Sequence, residues 1–162
     1  MMGDEMAADF ALSAVREDGE WSVVPLPPAA ADDLDQIIHA LRQQPGDAGS
    51  IGLLSFSEDF FVILRIRGSD VRMLLSDVTA AFDAPFAGQV LDRLGLPMPD
   101  GDDEDDIEPA GDLDLLEDLG ASPLLMAELC DDFELLPDDV FAQIAEHLGF
   151  AEQYDAAMQL VA

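Results

Sequence analysis

The sequence predicts an α+β fold, in which a five-stranded antiparallel sheet carries packed helices and a small C-terminal helical module follows. Two observations support the sheet. Strand-like and helix-like segments occur in the order strand-strand-helix-strand-strand-strand-helix, and the turns between successive strands are too short for parallel crossovers. A third observation supports the module, because apolar residues beyond position 112 recur at helical spacing.

The first two strands are predicted to form a hairpin. FALSAVRE and EWSVVPL flank Asp18-Gly19, a pair that favours a tight two-residue turn, and Pro25, Pro27 and Pro28 end the second strand, since proline has no N–H to donate. A helix over residues 30–44 follows, and Pro45-Gly46 ends it. The helix is amphipathic, because one stripe holds Leu34, Ile37, Ile38 and Leu41.

Three more strands are predicted from IGLLSFS, FFVILRIR and VRMLLSD. The middle one is nearly all apolar, as expected of a central strand that is covered on both faces. A short turn at 79–84 and a helix over 85–94 come next, since Pro85 suits a first helical turn and Gly95 suits a helix end. This element order is the order found in longin-like folds.

Composition changes sharply after the second helix. PMPDGDDEDDIEPAGD is dense in like charges, which repel and extend a chain. Ser122-Pro123 and Pro137 then signal helix starts. We therefore predict four parts: a disordered lead at 1–9, an α+β domain at 10–96, an acidic linker at 97–112 and a helical module at 113–162.

The charge of the chain restricts its partners. Asp and Glu number 36 and Lys and Arg 6, for a formal net charge of −30, and no basic residue follows Arg93. Such a surface repels nucleic acid phosphates and anionic membranes. A basic protein is the complementary partner, although the same charge also serves solubility. No apolar run is long enough for a membrane span, and the N-terminus lacks a basic signal-peptide region, so we expect a cytoplasmic protein.

Catalytic and metal-binding chemistry is not predicted. Cys130 is the only cysteine, and the neighbouring Asp131 disfavours its thiolate. The only histidines, His39 and His147, belong to separate predicted units. The acidic run does not fit the spacing of an EF-hand loop, and no phosphate-binding loop or nucleophile motif is present. We therefore expect no enzyme activity, no cofactor and no metal.

Two groups of residues are the candidates for partner binding. Arg65 and Arg67 share one face of a predicted strand and Arg72 lies on the next strand, so the three can form a small basic patch. The alternative is that they pair across strands with Glu58, Asp59 or Asp70. The second group is the acidic run of the linker: Asp102, Asp103, Glu104, Asp105 and Asp106.

Several segments together resemble one known family. They are FALSAVREDGEW, FFVILRIR, LLSDVTAAFDAPFAGQVLDRLG, the acidic spacer, and the closing DLG, ELCDD, LLPDD and AEHLGFAEQYD. In this order, and over nearly the whole chain, they resemble the actinobacterial tRNA adenosine deaminase-associated proteins. The resemblance implies a gene beside that of the deaminase and supplies no catalytic residues. The chain also lacks the His-x-Glu and Pro-Cys-x-x-Cys pattern of a zinc deaminase.

Two functions are compatible with these observations. The first is an acidic, non-catalytic accessory protein of tRNA adenosine deaminase or of a neighbouring RNA-processing enzyme. The second is a self-associating scaffold or regulatory subunit, which forms a homodimer through a sheet edge or an outer helix. A stable dimer of the pure protein would favour the second function.

Overall fold

The computed structural model describes residues 8–26, 33–43, 49–56, 60–82, 84–97, 109–132 and 134–161, where helices cover both faces of one antiparallel sheet. The strands are β1 (Ala8–Glu17), β2 (Glu20–Leu26), β3 (Ser50–Phe56), β4 (Phe60–Arg67), β5 (Asp70–Leu75) and β6 (Ala110–Gly111). The helices are α1 (Leu34–Arg42), α2 (Pro85–Leu94), α3 (Pro123–Asp131), α4 (Pro137–Leu148) and α5 (Ala151–Val161). Short 3₁₀ turns occupy Val78–Phe82 and Glu117–Leu119.

The α+β class and the antiparallel sheet are confirmed, but the sheet has six strands in the described part of the chain, in the order β2-β1-β3-β4-β5-β6. The sixth strand lies at the end of the range predicted as linker, where Gly111 pairs with Leu74 and Ala110 with Leu75. Gly111 has a φ of +114°, and any side chain there would collide with the carbonyl oxygen of Met73. The predicted longin-like order of five strands therefore lacks β6. The sequence does not reveal this strand, because two residues are too few to show a periodic pattern.

The β1–β2 hairpin forms at the predicted turn. Asp18 and Gly19 have φ values of 54° and 81°, which is the backbone of a type I′ turn, and Glu17 pairs with Glu20 across it. Residues 8 and 9, predicted as part of the disordered lead, belong to β1, whereas residues 1–7 lie outside the described part.

Strand β4 is central, and its side chains alternate between two separate cores. Val62, Leu64 and Ile66 point to one side of the sheet, which we call face one, and α1 and α2 cover it. Phe61, Ile63 and Arg65 point to the other side, which we call face two. The segment from Leu113 to Ala121 and helices α3–α5 cover face two.

Face one is closed by two capped helices. The Asp33 carboxylate accepts a hydrogen bond from the Gln36 backbone N–H at 3.2 Å and so caps α1. Gln89 of α2 accepts one from the Leu34 backbone N–H at 2.7 Å, which joins the two helices. The predicted apolar stripe of α1 is buried as expected, and Gly95 ends α2 in the left-handed conformation.

Face two is closed by residues from the predicted helical module, so the ranges 10–96 and 113–162 share a core. Phe141 of α4 is fully buried and meets Phe10 and Phe61 edge to face, at ring distances of 6.0 and 5.5 Å. Trp21 of β2 donates its indole N–H to the Leu148 carbonyl at 3.1 Å. The two ranges therefore differ in composition but pack together, and independent folding of 10–96 stays a prediction.

Candidate interaction surfaces

Arg65 lies on face two near the end of β4, and only 1% of it is exposed. A guanidinium at such a position must find acceptors, because an unpaired buried charge costs several kcal/mol. Its Nη1 donates to the Leu115 carbonyl at 2.9 Å and to Asp118 Oδ1 at 2.8 Å, and its Nη2 donates to Asp118 Oδ2 at 3.0 Å. The Asp118 pair is bidentate, the geometry that suits a planar guanidinium best.

Asp118 is placed for this pair by the 3₁₀ turn Glu117–Leu119, and half of its side chain is exposed. The hydrogen bond from Arg65 lowers the pKa of Asp118 below its usual value, since it favours the ionised carboxylate. The sequence does not suggest this pair, because Asp118 is one acid among 36 and lies 53 residues from Arg65.

Arg67 and Arg72 join Arg65 around a half-open cavity of about 160 Å³. Arg72 stands opposite Arg65 in the β4–β5 register. The three arginines predicted to form a patch therefore line one cavity, together with three acidic residues, Asp114, Glu117 and Asp118. The remaining ion pairs are longer: Arg72–Asp70 at 3.4 Å, Arg72–Asp114 at 3.6 Å and Arg67–Asp118 at 3.9 Å.

The positive and negative charges that line this cavity are equal in number, so it presents no net basic surface to an acidic partner. Arg72 does pair with Asp70, but both residues lie on β5, so this ion pair is within one strand and not the predicted cross-strand pair; Glu58 and Asp59 lie outside the described residues. Arg65 links β4 to the segment after β6 through its hydrogen bonds to Leu115 and Asp118. Arg67 and Arg72 are 55% and 44% exposed, so a partner-facing role remains a proposal for these two.

The outer surface of α3–α5 and their connections is acidic and carries no Lys or Arg. Two leucines are strongly exposed within it, Leu124 at 70% and Leu160 at 74%. Its exposed carboxylates belong to Glu128, Asp131, Asp132, Glu134, Asp138, Asp139, Glu146, Glu152 and Asp155. We call this set the helical acidic surface. The acidic run Asp102 to Asp106, the other candidate for partner binding, lies outside the described residues.

The groups that carry catalytic chemistry elsewhere are not assembled in the described part. Burial, and secondarily the charge of Asp131, raises the pKa of Cys130 to about 12, so its thiol stays protonated. His39 is on α1 and His147 on α4, on opposite sides of the sheet. Among the described residues no three His, Cys, Asp or Glu side chains converge as metal ligands. None of the described helices is long and apolar enough to cross a membrane.

Comparison with known proteins identifies the family. A sequence model of the family described as Rv3753c-like tRNA adenosine deaminase-associated protein matches residues 9–151. The chain belongs to this family. Protein Rv3753c of Mycobacterium tuberculosis is 37% identical over 151 residues, which cover 92% of this chain and 87% of that protein. No solved structure matches. The resemblance found in the sequence is thereby confirmed, and the family description names association with a deaminase, not deamination.

Proposed function

We propose that this chain is a non-catalytic, cytoplasmic accessory protein that binds a basic surface of tRNA adenosine deaminase. The observation that carries the proposal is the helical acidic surface, nine exposed carboxylates on α3–α5 and their connections in a stretch of sequence without a cation. The description of the family supports tRNA adenosine deaminase as the partner.

Charge complementarity supports a partner that handles RNA. Proteins that bind RNA do so largely through Lys and Arg, because those residues displace counterions from the phosphates. An acidic protein is attracted to such a surface and is itself repelled by RNA. Direct binding of tRNA by this chain is therefore not part of the proposal.

A non-catalytic role is supported by the chemistry of the described residues. The thiol of Cys130 is buried and stays protonated, and the one buried guanidinium, that of Arg65, is bound by Asp118. Nucleophilic or acid-base catalysis needs a nucleophile, a base and an orienting group in one cleft. The cavity beside Arg65 is lined by arginines, acids and Leu115.

The contact is proposed to involve two acidic groups. One is the helical acidic surface, and the other is the run Asp102 to Asp106. Arg67 and Arg72 are a secondary contact, for acids of the partner near its basic surface. Because most of these charges are solvated, they act mainly through long-range attraction and so through the association rate.

The test is biolayer interferometry of purified deaminase on this protein at about 50 and 200 mM salt, with and without substrate tRNA. Two variants each lose five negative charges and so control for one another. The first changes Asp102, Asp103, Asp105 and Asp106 to Asn and Glu104 to Gln. The second changes Glu128, Glu146 and Glu152 to Gln and Asp131 and Asp155 to Asn.

We expect the association rate to fall by about 3–10-fold in the variant whose charges face the enzyme, with a smaller effect at the higher salt. Equal effects of both variants would mean that the field of the whole protein steers the encounter. Competition with tRNA would show that the acidic surface occupies the RNA site of the enzyme. Absence of binding at the lower salt would refute the proposed function.

A further inference from the structure

The two edges of the sheet are protected very differently. At one edge β6 is only two residues long, a length that leaves little backbone for another chain to pair with. At the other edge β2 is seven residues long. Within the residues that the structure describes, β1 is the only strand paired with β2. The edge at β2 is therefore the longer stretch of strand at which the sheet can be extended.

The hairpin geometry shows which backbone groups face outward from β2. In a two-residue hairpin the residues flanking the turn, Glu17 and Glu20, exchange both hydrogen bonds, and the pattern then alternates along the strand. Ser22 and Val24 consequently bond to β1, whereas Trp21, Val23 and Pro25 direct their backbone groups away from it. Pro25 is consistent with this assignment, because a proline without an N–H is tolerated where the edge faces solvent.

The side chains along this edge leave room for a neighbour. Val24 is 41% exposed, and Trp21 and Val23 are partly exposed. Charged residues and prolines usually block pairing at a sheet edge. Strand β2 has one of each, Glu20 and Pro25. Its outward groups number three carbonyls and two N–H donors, from Trp21, Val23 and Pro25.

The charges around the edge indicate the chemistry of the occupant. Residues 8–26 carry four acids, three of them at the hairpin tip, against the single base Arg16, whose guanidinium lies 5.7 Å from the Trp21 ring centroid. Helix α5, which packs against β2, adds exposed Glu152 and Asp155. A second copy of a chain with a net charge of −30 is repelled at such an edge, whereas a basic segment is attracted.

We propose that β2 is a docking strand, to which an extended, basic segment of the partner protein adds as a further strand of the sheet. This inference rests on the proposed function for the basic character of the partner. Backbone hydrogen bonds to Trp21, Val23 and Pro25 provide the pairing. Lys or Arg at alternate positions of the added segment faces the acids of α5, which selects it over other extended chains.

The first test uses a substitution that acts on the outer edge alone. Val23→Pro removes an outward N–H and leaves the hydrogen bonds of Ser22 and Val24 to β1 in place. Val23→Ala is the matched control, because it shortens the same side chain and keeps the N–H. With the purified deaminase we expect Val23→Pro to weaken binding by about tenfold or more and Val23→Ala by less than about threefold. Deaminase binding that Val23→Pro leaves unchanged would overturn the inference and leave the proposed function standing.

The second test follows the edge itself in the wild-type chain. Amide hydrogen exchange is measured by NMR on the free protein and with a synthetic peptide of alternating Lys and Val as the probe. We expect the Trp21 and Val23 amides to exchange rapidly in the free protein and to become protected on binding, with Ser22 and Val24 unchanged. This result would support the docking strand even if the deaminase itself does not bind.

Two outcomes of the second test contradict the inference. Peptide binding that protects neither Trp21 nor Val23 would place the basic segment elsewhere on the acidic surface. A dimer in light scattering, with both amides already protected in the free protein, would show that a second copy occupies β2.

Discussion

The two faces of the sheet are covered in different ways. Face one is closed by α1 and α2, which lie between or directly after its strands, and its core holds no charged side chain among the described residues. Face two is closed by residues 113–161, which follow the acidic run, and it includes a buried arginine, Arg65. Two polar contacts across face two, Arg65–Asp118 and Trp21–Leu148, span 53 and 127 residues of sequence.

This difference bears on how helices that are distant in sequence are fixed in one arrangement on a sheet. Apolar packing alone is tolerant of small shifts, because many arrangements bury similar areas. A bidentate ion pair and an indole hydrogen bond are directional and fix one arrangement. Face one has directional contacts of its own, from the Ser50 hydroxyl to the Leu41 carbonyl and from the Leu34 N–H to Gln89, both at 2.7 Å, but neither involves a buried charge.

The largest expected effect comes from removing the cover of face two. A chain that ends at Leu96 exposes Phe10, Phe61, Ile63 and their neighbours to water and leaves Arg65 without Asp118. The lost burial exceeds the total stability of a typical domain, about 5–15 kcal/mol. We therefore expect near-UV circular dichroism to be lost and a hydrophobic dye to bind. A monomeric chain with a native near-UV spectrum would instead restore the prediction that residues 10–96 fold alone.

A single aromatic residue on each face gives the next largest effect. Phe141→Ala removes a fully buried ring that contacts two others and should lower the free energy of unfolding by about 3–5 kcal/mol. Phe86→Ala is the matched change on face one, where the ring contacts Phe56 at 5.0 Å. Urea denaturation measures both. If Phe141→Ala costs clearly less than Phe86→Ala, the cover of face two is the looser of the two.

The ion pair should respond unequally to loss of its two members. Asp118→Ala leaves a buried guanidinium without its carboxylate, and we expect a loss of about 2–3 kcal/mol. Arg65→Met fills the same space with an apolar chain, and the half-exposed Asp118 returns to water, so we expect less than about 1.5 kcal/mol. Equal losses in urea denaturation would show that the pair adds net stability beyond avoiding a buried charge.

The smallest expected effect is a pH dependence of the stability that the Arg65–Asp118 pair contributes. The pKa of Asp118 is lower in the folded protein than in the unfolded chain, so its contribution is complete above the usual aspartate pKa of about 3.9. That contribution is lost as the pH falls through the lowered value. The difference in Tm between the wild type and Asp118→Asn should be constant from pH 7 to 5 and shrink below pH 4. The control is the same comparison in an Arg65→Met background, which lacks the ion pair. There the Tm difference between the chains with and without Asp118→Asn should not change below pH 4.

Much of the fold follows from local patterns that the sequence displays. The Asp18-Gly19 turn, the stripe of α1, Gly95 at the end of α2 and Ser122 at the start of α3 are decided by neighbours within a few residues. The apolar run FFVILRIR correctly predicts a strand buried on both faces. Strand β6 escapes such patterns, because its two residues are ordered by β5 and not by their own periodicity.

The sites were less predictable because they depend on long-range contacts. Spacing alone places Arg65, Arg67 and Arg72 together, and they do line one cavity. The burial of Arg65 and its pairing with Asp118 depend on which part of the distant acidic half covers face two. One weak signal was available: an arginine among β-branched and aromatic residues in a central strand predicts a buried charge in need of a carboxylate.

The separation of 53 residues between Arg65 and Asp118 also has a consequence in time. Contacts between distant parts of a chain carry a larger loop-closure cost, so face two should close late in folding. We expect φ-values near zero for Asp118 and higher ones in the β1–β2 hairpin, measured from stopped-flow refolding. During synthesis at about 5–20 residues per second, roughly 3–10 s pass between the addition of Arg65 and that of Asp118. For those seconds an apolar sheet face that also carries Arg65, Arg67 and Arg72 is open to chaperones and to other nascent chains.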